Sequence, residues 1–478
     1  MLTAALFEEC HRLLAALSGT GEAQSSTPCP HPPDGAPAQA DACDLLQHLG
    51  YAHRDPATGA LRPDGVDPDT AANRLALLAF ATRLERVFTL PSRLAPGACF
   101  VGGEVAPARF GLAPPDDLVM SAGGRGATLR AAFEGCMGEA AEYLSFVAWG
   151  DEAITHASAN ELYGGDTTAG GAADLPWMLT GLGLNTDDRD RPIGWLTARR
   201  FDDHTPVHVP AGLCLRRAAP PDEHATGKAE SSGCATGPTL DLACLHALFE
   251  LVERDAVALW WYGGAPARPL RLAPAREDAL HRFVAELRGA VQRRYWCLDV
   301  TSDLGIPVVV ALSCRDDGGA VITGFGADLD PLAAAQSAVL EMCQMELALD
   351  LVHLKIEQRG REALNASDRR HLDRAERMHV DAVRQFRCDA PRRQPDDELQ
   401  DAPGHGEPLE RCIAMLRGAG YNAYWIDLTR PTLNIPAARV LIPGLQSIKP
   451  GWVTKRLRHT AAKNHQKDNS WRDLPPLV

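Results

Sequence analysis

The sequence predicts an α/β (α+β) protein that begins with a small, mostly helical region. Glycine-rich loops lead into long apolar helices at three places in the chain. β-rich runs at 205–215 (TPVHVPAGLCL) and 306–314 (IPVVVALSC) lie between these helices. A strand–loop–strand pattern that starts at Asp299 recurs at Asp427, and both copies read Asp-aliphatic-Thr and then Ile-Pro. The recurrence indicates internally repeated strand–helix units.

Two regions are expected, a helical N-terminal extension over 1–112 and a larger domain over 113–478. Residues 1–19 have the periodicity of an amphipathic helix, and two adjacent acidic residues within it argue against a signal peptide. The Pro-, Ala- and Ser-rich stretch at about 19–42 is expected to be a disordered linker.

Helical periodicity covers 44–90 in the remainder of this extension. The clearest helix is predicted over 69–88, where apolar residues recur every three or four positions. Asp69 is the expected N-cap of this helix.

The composition excludes several classes of function. The net charge is −14 and the pI is about 5.6, so general binding to nucleic acid is not expected, whereas a surplus of carboxylates suits Mg²⁺. The 13 cysteines include no C-x-x-C pair, which favours reduced thiols in a cytoplasmic protein over a disulfide scaffold or a zinc ribbon. No apolar run approaches the ~20 residues of a membrane span.

Pairs of carboxylate or amide side chains three residues apart mark the three loop–helix segments. The pairs are Glu139 and Glu142 in 121–145, Glu250 and Glu253 in 231–256, and Glu341 and Gln344 in 323–346. Residues at i and i+3 share one helix face, where two ionised carboxylates repel each other unless a cation lies between them. One such pair is typical of a solvated helix face. Three pairs in the same loop–helix setting favour a Mg²⁺–phosphate site.

Other sequence routes to nucleotide binding or hydrolysis are missing. Gly227-Lys228 is followed by Ala229, so no P-loop is present, and no G-x-G-x-x-G follows a clear strand to open a helix. The chain also has no G-x-S-x-G nucleophile elbow. The carboxylate-bearing helices therefore carry the functional prediction.

Over about 115–478 the chain resembles the YcaO family. The resemblance rests on the three loop–helix segments, on 192–213 (PIGWLTARRFDDHTPVHVPAGL) and on 427–445 (DLTRPTLNIPAARVLIPGL). It implies a YcaO-type α/β fold that binds ATP through carboxylate-held Mg²⁺ without a Walker loop. It also implies that ATP activates a peptide amide oxygen.

The resemblance assigns a role to each matching residue. It implies that Mg²⁺ is held by Glu139, Glu142, Glu250, Glu253 and Glu341. The nucleotide would contact Ser121, Arg125, Ser232 and Gln344. Glu253 and Arg439 are the expected catalytic residues, with Arg439 facing phosphate.

Two features depart from the family pattern. Ser231-Ser232-Gly233 stands where the family commonly has Ser-Asn-Gly. The chain ends in WRDLPPLV, with Pro475 and Pro476 adjacent, whereas azoline-forming members tend to end in Pro-x-Pro-x-Pro. A proline tail that folds back over the site and an ordinary frayed terminus are both compatible with this sequence.

The implied reaction is ATP-dependent cyclodehydration of a ribosomally made peptide, which forms thiazoline or oxazoline rings from Cys, Ser or Thr. The same activation with an external nucleophile, giving a thioamide or an amidine, is the alternative, and a non-catalytic ATP-binding scaffold is a third hypothesis. Expected partners are the precursor peptide and a ubiquitin-activating-enzyme-like protein that grips its leader, or alternatively a TfuA-like protein. A homodimer is compatible with the sequence, and no nucleic-acid or membrane partner is expected.

A basic stretch at 449–471 contrasts with the acidic chain. It contains Lys455, Arg456 and Arg458, together with other lysines. A solvated basic helix is one interpretation, and electrostatic capture of an acidic leader or partner is the other.

Overall fold

A computed structural model of the chain describes residues 2–19, 37–112, 120–164, 173–184, 186–216, 229–386, 398–404, 406–448 and 453–464. Most of the expected linker lies outside these ranges, and residues from Pro37 onward already belong to a helix. The proline tail at 474–478 also lies outside them. Within the described ranges, none of the helices combines the length and apolar character needed to span a membrane.

The described residues of the N-terminal region form three α-helices and four strands. In chain order they are α1 (Ala4–Leu17), α2 (Pro37–His48), β1 (Ala52–Arg54), β2 (Leu61–Pro63), α3 (Pro68–Ala81), β3 (Arg86–Thr89) and β4 (Cys99–Val105). The prediction of continuous helix over 44–90 was wrong where the β1–β2 hairpin and β3 occur. Asp67, and not Asp69, caps α3, because its side chain accepts a hydrogen bond from the N–H of Thr70 and Pro68 begins the helix.

The remainder of the chain alternates strands and helices. Its first half consists of β5 (Met120–Gly126), α4 (Leu129–Phe146), β6 (Thr155–Ala157), α5 (Ala159–Tyr163), α6 (Leu175–Gly181), β7 (Ile193–Arg200), β8 (Pro206–Pro210), α7 (Ala211–Cys214), β9 (Cys234–Thr236) and α8 (Leu240–Trp261). Its second half consists of β10 (Arg268–Pro269), α9 (Pro274–Arg288), β11 (Arg294–Asp299), β12 (Val308–Cys314), β13 (Ile322–Ala327), α10 (Pro331–Arg359), α11 (Ala366–Arg377), α12 (Pro408–Gly418), β14 (Tyr424–Asp427), β15 (Ala437–Leu441) and α13 (Lys455–Lys463).

In the part of the chain that the structure describes, three larger antiparallel sheets pack against these helices. Their strand orders are β3-β4-β5, β10-β11-β12-β13 and β6-β7-β14-β15-β9, with β8 paired to β7. The first sheet joins strands from both sides of residue 112. The predicted boundary near that residue therefore falls between two paired strands of one sheet.

The two copies of the sequence repeat have the same local structure. Asp299 and Asp427 each end a strand, and each side chain accepts a hydrogen bond from the backbone N–H of the threonine two residues later, at 2.8 Å. The hydroxyls of Thr301 and Thr429 then accept a hydrogen bond from the backbone N–H of the first residue of the returning strand, at 3.1 Å. The Asp-x-Thr pattern thus stabilises the connection between two antiparallel strands through side-chain hydrogen bonds to the backbone.

The glycine-rich segments ahead of the three helices contain strands, which corrects the expectation of loops. β5, β9 and β13 lie directly against α4, α8 and α10. A Cβ atom on Gly124 would collide with the carbonyl oxygen of Ala132, and one on Gly324 would collide with backbone atoms of Ala338 and Met342. These glycines therefore allow close strand–helix packing, and the packing fixes where the helix side chains point.

The N-terminal helices share a core with α4. Phe7 stacks on Phe133 with ring centroids 5.6 Å apart, and both rings are buried. The same buried cluster contains Leu46 of α2 and Leu78 of α3. Residues before 112 therefore support the helix that carries Glu139.

The described part of the basic stretch, 453–464, contains α13, which packs against α8. Arg456 is held by the buried carboxylate of Asp255 and by Asp303, so it is not part of a solvated basic face. Lys455 and Arg458 are exposed.

Candidate functional site

A cavity of about 1190 Å³ lies between α4, α8 and α10. Apart from Ser121 and Arg439, every residue predicted for the site lines it: Arg125, Glu139, Glu142, Ser232, Glu250, Glu253, Glu341 and Gln344. Each helix presents its pair to the cavity because residues at i and i+3 share one face. The tertiary structure thus brings together the three pairs found in the sequence.

The first carboxylate of each pair is held in an equivalent way. Its Oε2 atom accepts a hydrogen bond from a backbone N–H of the preceding glycine-rich segment. The donors are Gly123 for Glu139 (2.7 Å), Gly233 for Glu250 (3.0 Å) and Phe325 for Glu341 (2.5 Å). This bond orients the carboxylate and leaves its second oxygen directed elsewhere. These backbone N–H groups of the glycine-rich segments therefore bind the protein's own carboxylates.

The second residues of the pairs have different partners. Arg254 donates to Glu253 at 2.8 Å and reaches Glu250 at 3.4 Å, so one guanidinium lies between these carboxylates. Gln344 accepts a hydrogen bond from Arg125 at 2.7 Å, which links β5 to α10 across the cavity. These arginines compensate part of the negative charge.

Burial disfavours the ionised form of the remaining carboxylates. Burial raises the pKa of Glu139 and, more strongly, that of Glu142, where the charges of Glu250 and Glu139 add to the rise. Burial, with the charges of Glu341 and Glu250, raises the pKa of Glu253 to about 8, against the lowering effect of the adjacent arginine. A cation among these carboxylates would stabilise their ionised forms.

The donor set fits Mg²⁺ only if other oxygens complete the coordination. The described residues contain no group of three or more His, Cys, Asp or Glu side chains that could hold a metal ion. Mg²⁺ commonly binds one or two carboxylates together with phosphate oxygens and waters. The arrangement therefore suits Mg²⁺ bound jointly by the protein and a phosphate group, and not a cage made of protein oxygens alone.

Two predicted residues do not line the cavity in this geometry. Ser121 lies on β5 opposite Glu104 of β4. Arg439 is 4% exposed, and it donates hydrogen bonds to the backbone carbonyls of Leu213 and Ser232 among others. Arg439 thus holds the segment that carries Ser232 against β15, and its expected role beside phosphate stays a prediction.

Several lining residues were missed by the sequence analysis. Arg254 and His246 lie on α8 with the Glu250 pair, and their i+4 and i−4 spacing from Glu250 is a signal that could have found them. Asn73 and Leu77 reach the cavity from α3. No local sequence signal connects α3 with a wall formed by helices far along the chain.

Comparison with known proteins identifies the family. A family model described as YcaO cyclodehydratase, ATP- and Mg²⁺-binding, matches residues 123–446. An uncharacterised protein of Methanothermobacter thermautotrophicus is 24% identical over 57% of this chain and 70% of its own length. A protein of Rhizobium leguminosarum bv. trifolii, described as lying in the tfuA 3′ region, is 29% identical over 54% of this chain and 61% of its own length.

Solved structures show the same fold. A heterocyclase in complex with substrate and cofactor matches with a TM-score of 0.64 and 24% identity, and the match covers 93% of this chain and 60% of that one. The E. coli microcin synthetase McbBCD complex with pro-MccB17 bound has a chain that matches with a TM-score of 0.56 and 15% identity, over 76% of this chain and 89% of that one. This chain thus spans about three fifths of the length of the first heterocyclase.

The family description names ATP and Mg²⁺, the two cofactors expected from the sequence. The family model spans all three carboxylate-bearing helices and most of the chain, and the solved heterocyclases share the fold. The chain therefore belongs to the YcaO cyclodehydratase family, whose members bind ATP and Mg²⁺.

Proposed function

We propose that this protein uses ATP and Mg²⁺ to cyclodehydrate a ribosomally made peptide, forming thiazoline or oxazoline rings from Cys, Ser or Thr. The observation that carries the proposal is the convergence of three equivalent strand–helix units on one cavity, each with its carboxylate or amide pair. Membership of the YcaO family supports it.

We define the carboxylate cluster as the five glutamates of the three pairs: Glu139, Glu142, Glu250, Glu253 and Glu341. This cluster would hold Mg²⁺ together with the phosphates of ATP. ATP with Mg²⁺ would supply the phosphoryl group that turns an amide oxygen into a leaving group. Arg125 and Arg254 face the same space and would offset negative charge there.

The nucleophile in this reaction belongs to the peptide. Its thiol or hydroxyl loses its proton and adds to the preceding carbonyl carbon, the carbonyl oxygen accepts the γ-phosphoryl group of ATP, and ADP leaves. The carbon–oxygen bond then breaks, phosphate departs and the ring nitrogen loses its proton. The protein contributes positioning and charge neutralisation.

We further propose that a partner delivers the peptide. The McbBCD complex is solved with pro-MccB17 bound, which supports a peptide substrate and partner proteins. We propose that the partner is a ubiquitin-activating-enzyme-like protein that grips the leader. The relative from the tfuA 3′ region supports a TfuA-like partner as the alternative.

Thioamide or amidine formation is the second candidate. It uses the same activation of the amide oxygen, with sulfide or an amine as the nucleophile.

The test is an assay of the whole protein with ATP, Mg²⁺, a Cys- and Ser-containing precursor peptide and its partner. ADP release coupled to a mass loss of one water per ring is expected. Replacement of oxygen by sulfur or nitrogen would support the second candidate instead. ATP binding without turnover in the presence of peptide and partner would support a non-catalytic scaffold and contradict the proposal.

A further inference from the structure

His246 lies on the same face of α8 as Glu250 and Glu253, which line the cavity. It precedes Glu250 by four residues and Glu253 by seven, and these spacings place all three side chains along one stripe of the helix. Its side chain is exposed and lines the cavity beside Thr236. An imidazole therefore faces the same space as the carboxylate cluster.

A contact with the backbone determines which ring nitrogen of His246 is left without a hydrogen-bond partner. Nδ1 lies 3.0 Å from the carbonyl oxygen of Thr236. A carbonyl oxygen can only accept, so Nδ1 carries the hydrogen and the neutral ring has its lone pair on Nε2. Nε2 makes no hydrogen bond to any residue that the structure describes. The ring is thus oriented with its basic nitrogen available.

Carboxylates lie near His246 on two elements. Glu250 follows one turn later on α8, and Asp328 lies just before α10. Burial raises the pKa of Asp328, and a positive charge on His246 opposes that rise, so the two groups are within electrostatic reach.

Most other ionisable groups in the cavity already have partners. Glu139 and Glu341 accept backbone N–H groups, and Glu253 is bonded to Arg254. Among the described lining residues, His246 is the single imidazole, and none is a cysteine. Ring closure needs an acceptor for the proton of the peptide nucleophile, and His246 is the lining residue whose chemistry suits that role near neutral pH.

We propose that His246 Nε2 accepts the proton of the peptide thiol or hydroxyl as it attacks the carbonyl carbon. The S–H or O–H bond breaks, its proton moves to Nε2, and its electron pair forms the new bond to carbon. The carbonyl π electrons move to oxygen, which takes the phosphoryl group from ATP with release of ADP. This inference rests on the proposed function, because it concerns the same reaction.

The two kinds of nucleophile should depend on His246 to different extents. A thiol, with an ordinary pKa of about 8.5, is partly ionised without help, whereas a hydroxyl is not. A general base contributes about 100-fold or more to rate. Loss of the base should therefore slow ring formation at Ser by about 100-fold, and at Cys by less, with recovery toward high pH.

The key variant is His246→Asn, whose amide keeps a hydrogen-bond donor toward Thr236 but offers no basic nitrogen. Single-turnover ring formation would be measured on matched Cys and Ser peptides from about pH 6 to about pH 9, together with ATP affinity. His246→Ala with added imidazole tests chemical rescue. His281→Asn, an exposed histidine on α9, is the matched control.

The inference is supported if His246→Asn loses Ser cyclisation more than Cys cyclisation, binds ATP within about twofold of the wild type, and if imidazole rescues His246→Ala. Wild-type rates in His246→Asn on both peptides would overturn it and leave the proposed function intact. Equal losses on both peptides with weakened ATP binding would overturn it in favour of a structural role. A wild-type protein that closes no ring would overturn the proposed function first, and this inference with it.

Discussion

At the scale of single residues, the crowded carboxylates define what the site needs. Glu253→Gln removes one charge from a buried pair at nearly constant volume. Since charge neutralisation by metal is a main contribution in phosphoryl transfer, we expect peptide-dependent ADP release to fall by about 100-fold or more. Glu277→Gln, an exposed carboxylate on α9, is the control and should retain full rate. Wild-type turnover in Glu253→Gln would remove this residue from the Mg²⁺ site.

The raised pKa of Glu253 also predicts how stability depends on pH. Its pKa rises from 4.5 to about 8 in the fold, so the folded state favours the protonated acid. This contribution to the free energy of unfolding is fully present below pH 4.5, the ordinary pKa of the carboxyl group in the unfolded chain. It is lost as the pH rises through about 8. Without Mg²⁺, the unfolding temperature should therefore fall between about pH 6 and about pH 8.5.

Mg²⁺ with ATP should reverse most of that fall, because it stabilises the ionised carboxylates. Glu253→Gln should show a weaker pH dependence than the wild type, whereas Glu277→Gln should match the wild type. Thermal unfolding in chelator and in Mg²⁺–ATP measures this. A metal-free protein whose unfolding temperature rises over the same interval would contradict the assigned environment of Glu253.

At the scale of elements, one ion pair joins α13 to the helix that carries Glu250 and Glu253. Asp255 is fully buried, and Arg456 contacts both of its oxygens, at 3.0 and 2.9 Å. Arg456→Ala leaves a buried carboxylate without its partner, which costs about 3–5 kcal/mol of unfolding free energy. Arg458→Ala, an exposed neighbour on α13, should cost little.

Denaturant unfolding of these variants measures the difference. Adding Asp255→Asn to Arg456→Ala should recover part of the loss, since the unpaired charge is then gone. Equal stabilities of Arg456→Ala and Arg458→Ala would show that α13 is not fastened to α8 in this way. Tests of partner capture by the basic stretch should accordingly neutralise Lys455 and Arg458 and leave Arg456 in place.

At the scale of the whole molecule, we expect residues 1–112 and the family domain to depend on each other. They share the β3-β4-β5 sheet and the core around Phe7 and Phe133, and α3 contributes Asn73 and Leu77 to the cavity. Expressed without residues 1–112, the chain should aggregate or bind ATP far more weakly, because the buried face of α4 would be exposed. Solubility and ATP affinity measure this. A soluble 113–478 fragment with wild-type affinity would show two independent domains.

The sequence by itself determined the parts of the protein that depend on local spacing. The Glu-x-x-Glu and Glu-x-x-Gln pairs lie on single helix faces because a helix places i and i+3 together wherever it occurs, and these pairs do line one cavity. The Asp-x-Thr repeat likewise acts within one turn, so its two copies have the same hydrogen bonds. The family resemblance named the fold and the two cofactors correctly.

Only the tertiary structure decided what depends on pairing between distant segments. The glycine-rich segments 123–126 and 322–327 are typical of loops in the sequence, but they form strands because neighbouring strands pair with them. The buried position of Arg439 depends on backbone carbonyls of residues 213 and 230–232, which accept its hydrogen bonds. α3 contributes Asn73 and Leu77 to the cavity wall because it packs in a hydrophobic core formed by residues from both sides of position 112. Strand register and burial come from contacts that are far apart in the chain, and local periodicity carries no information about which distant segment will supply them.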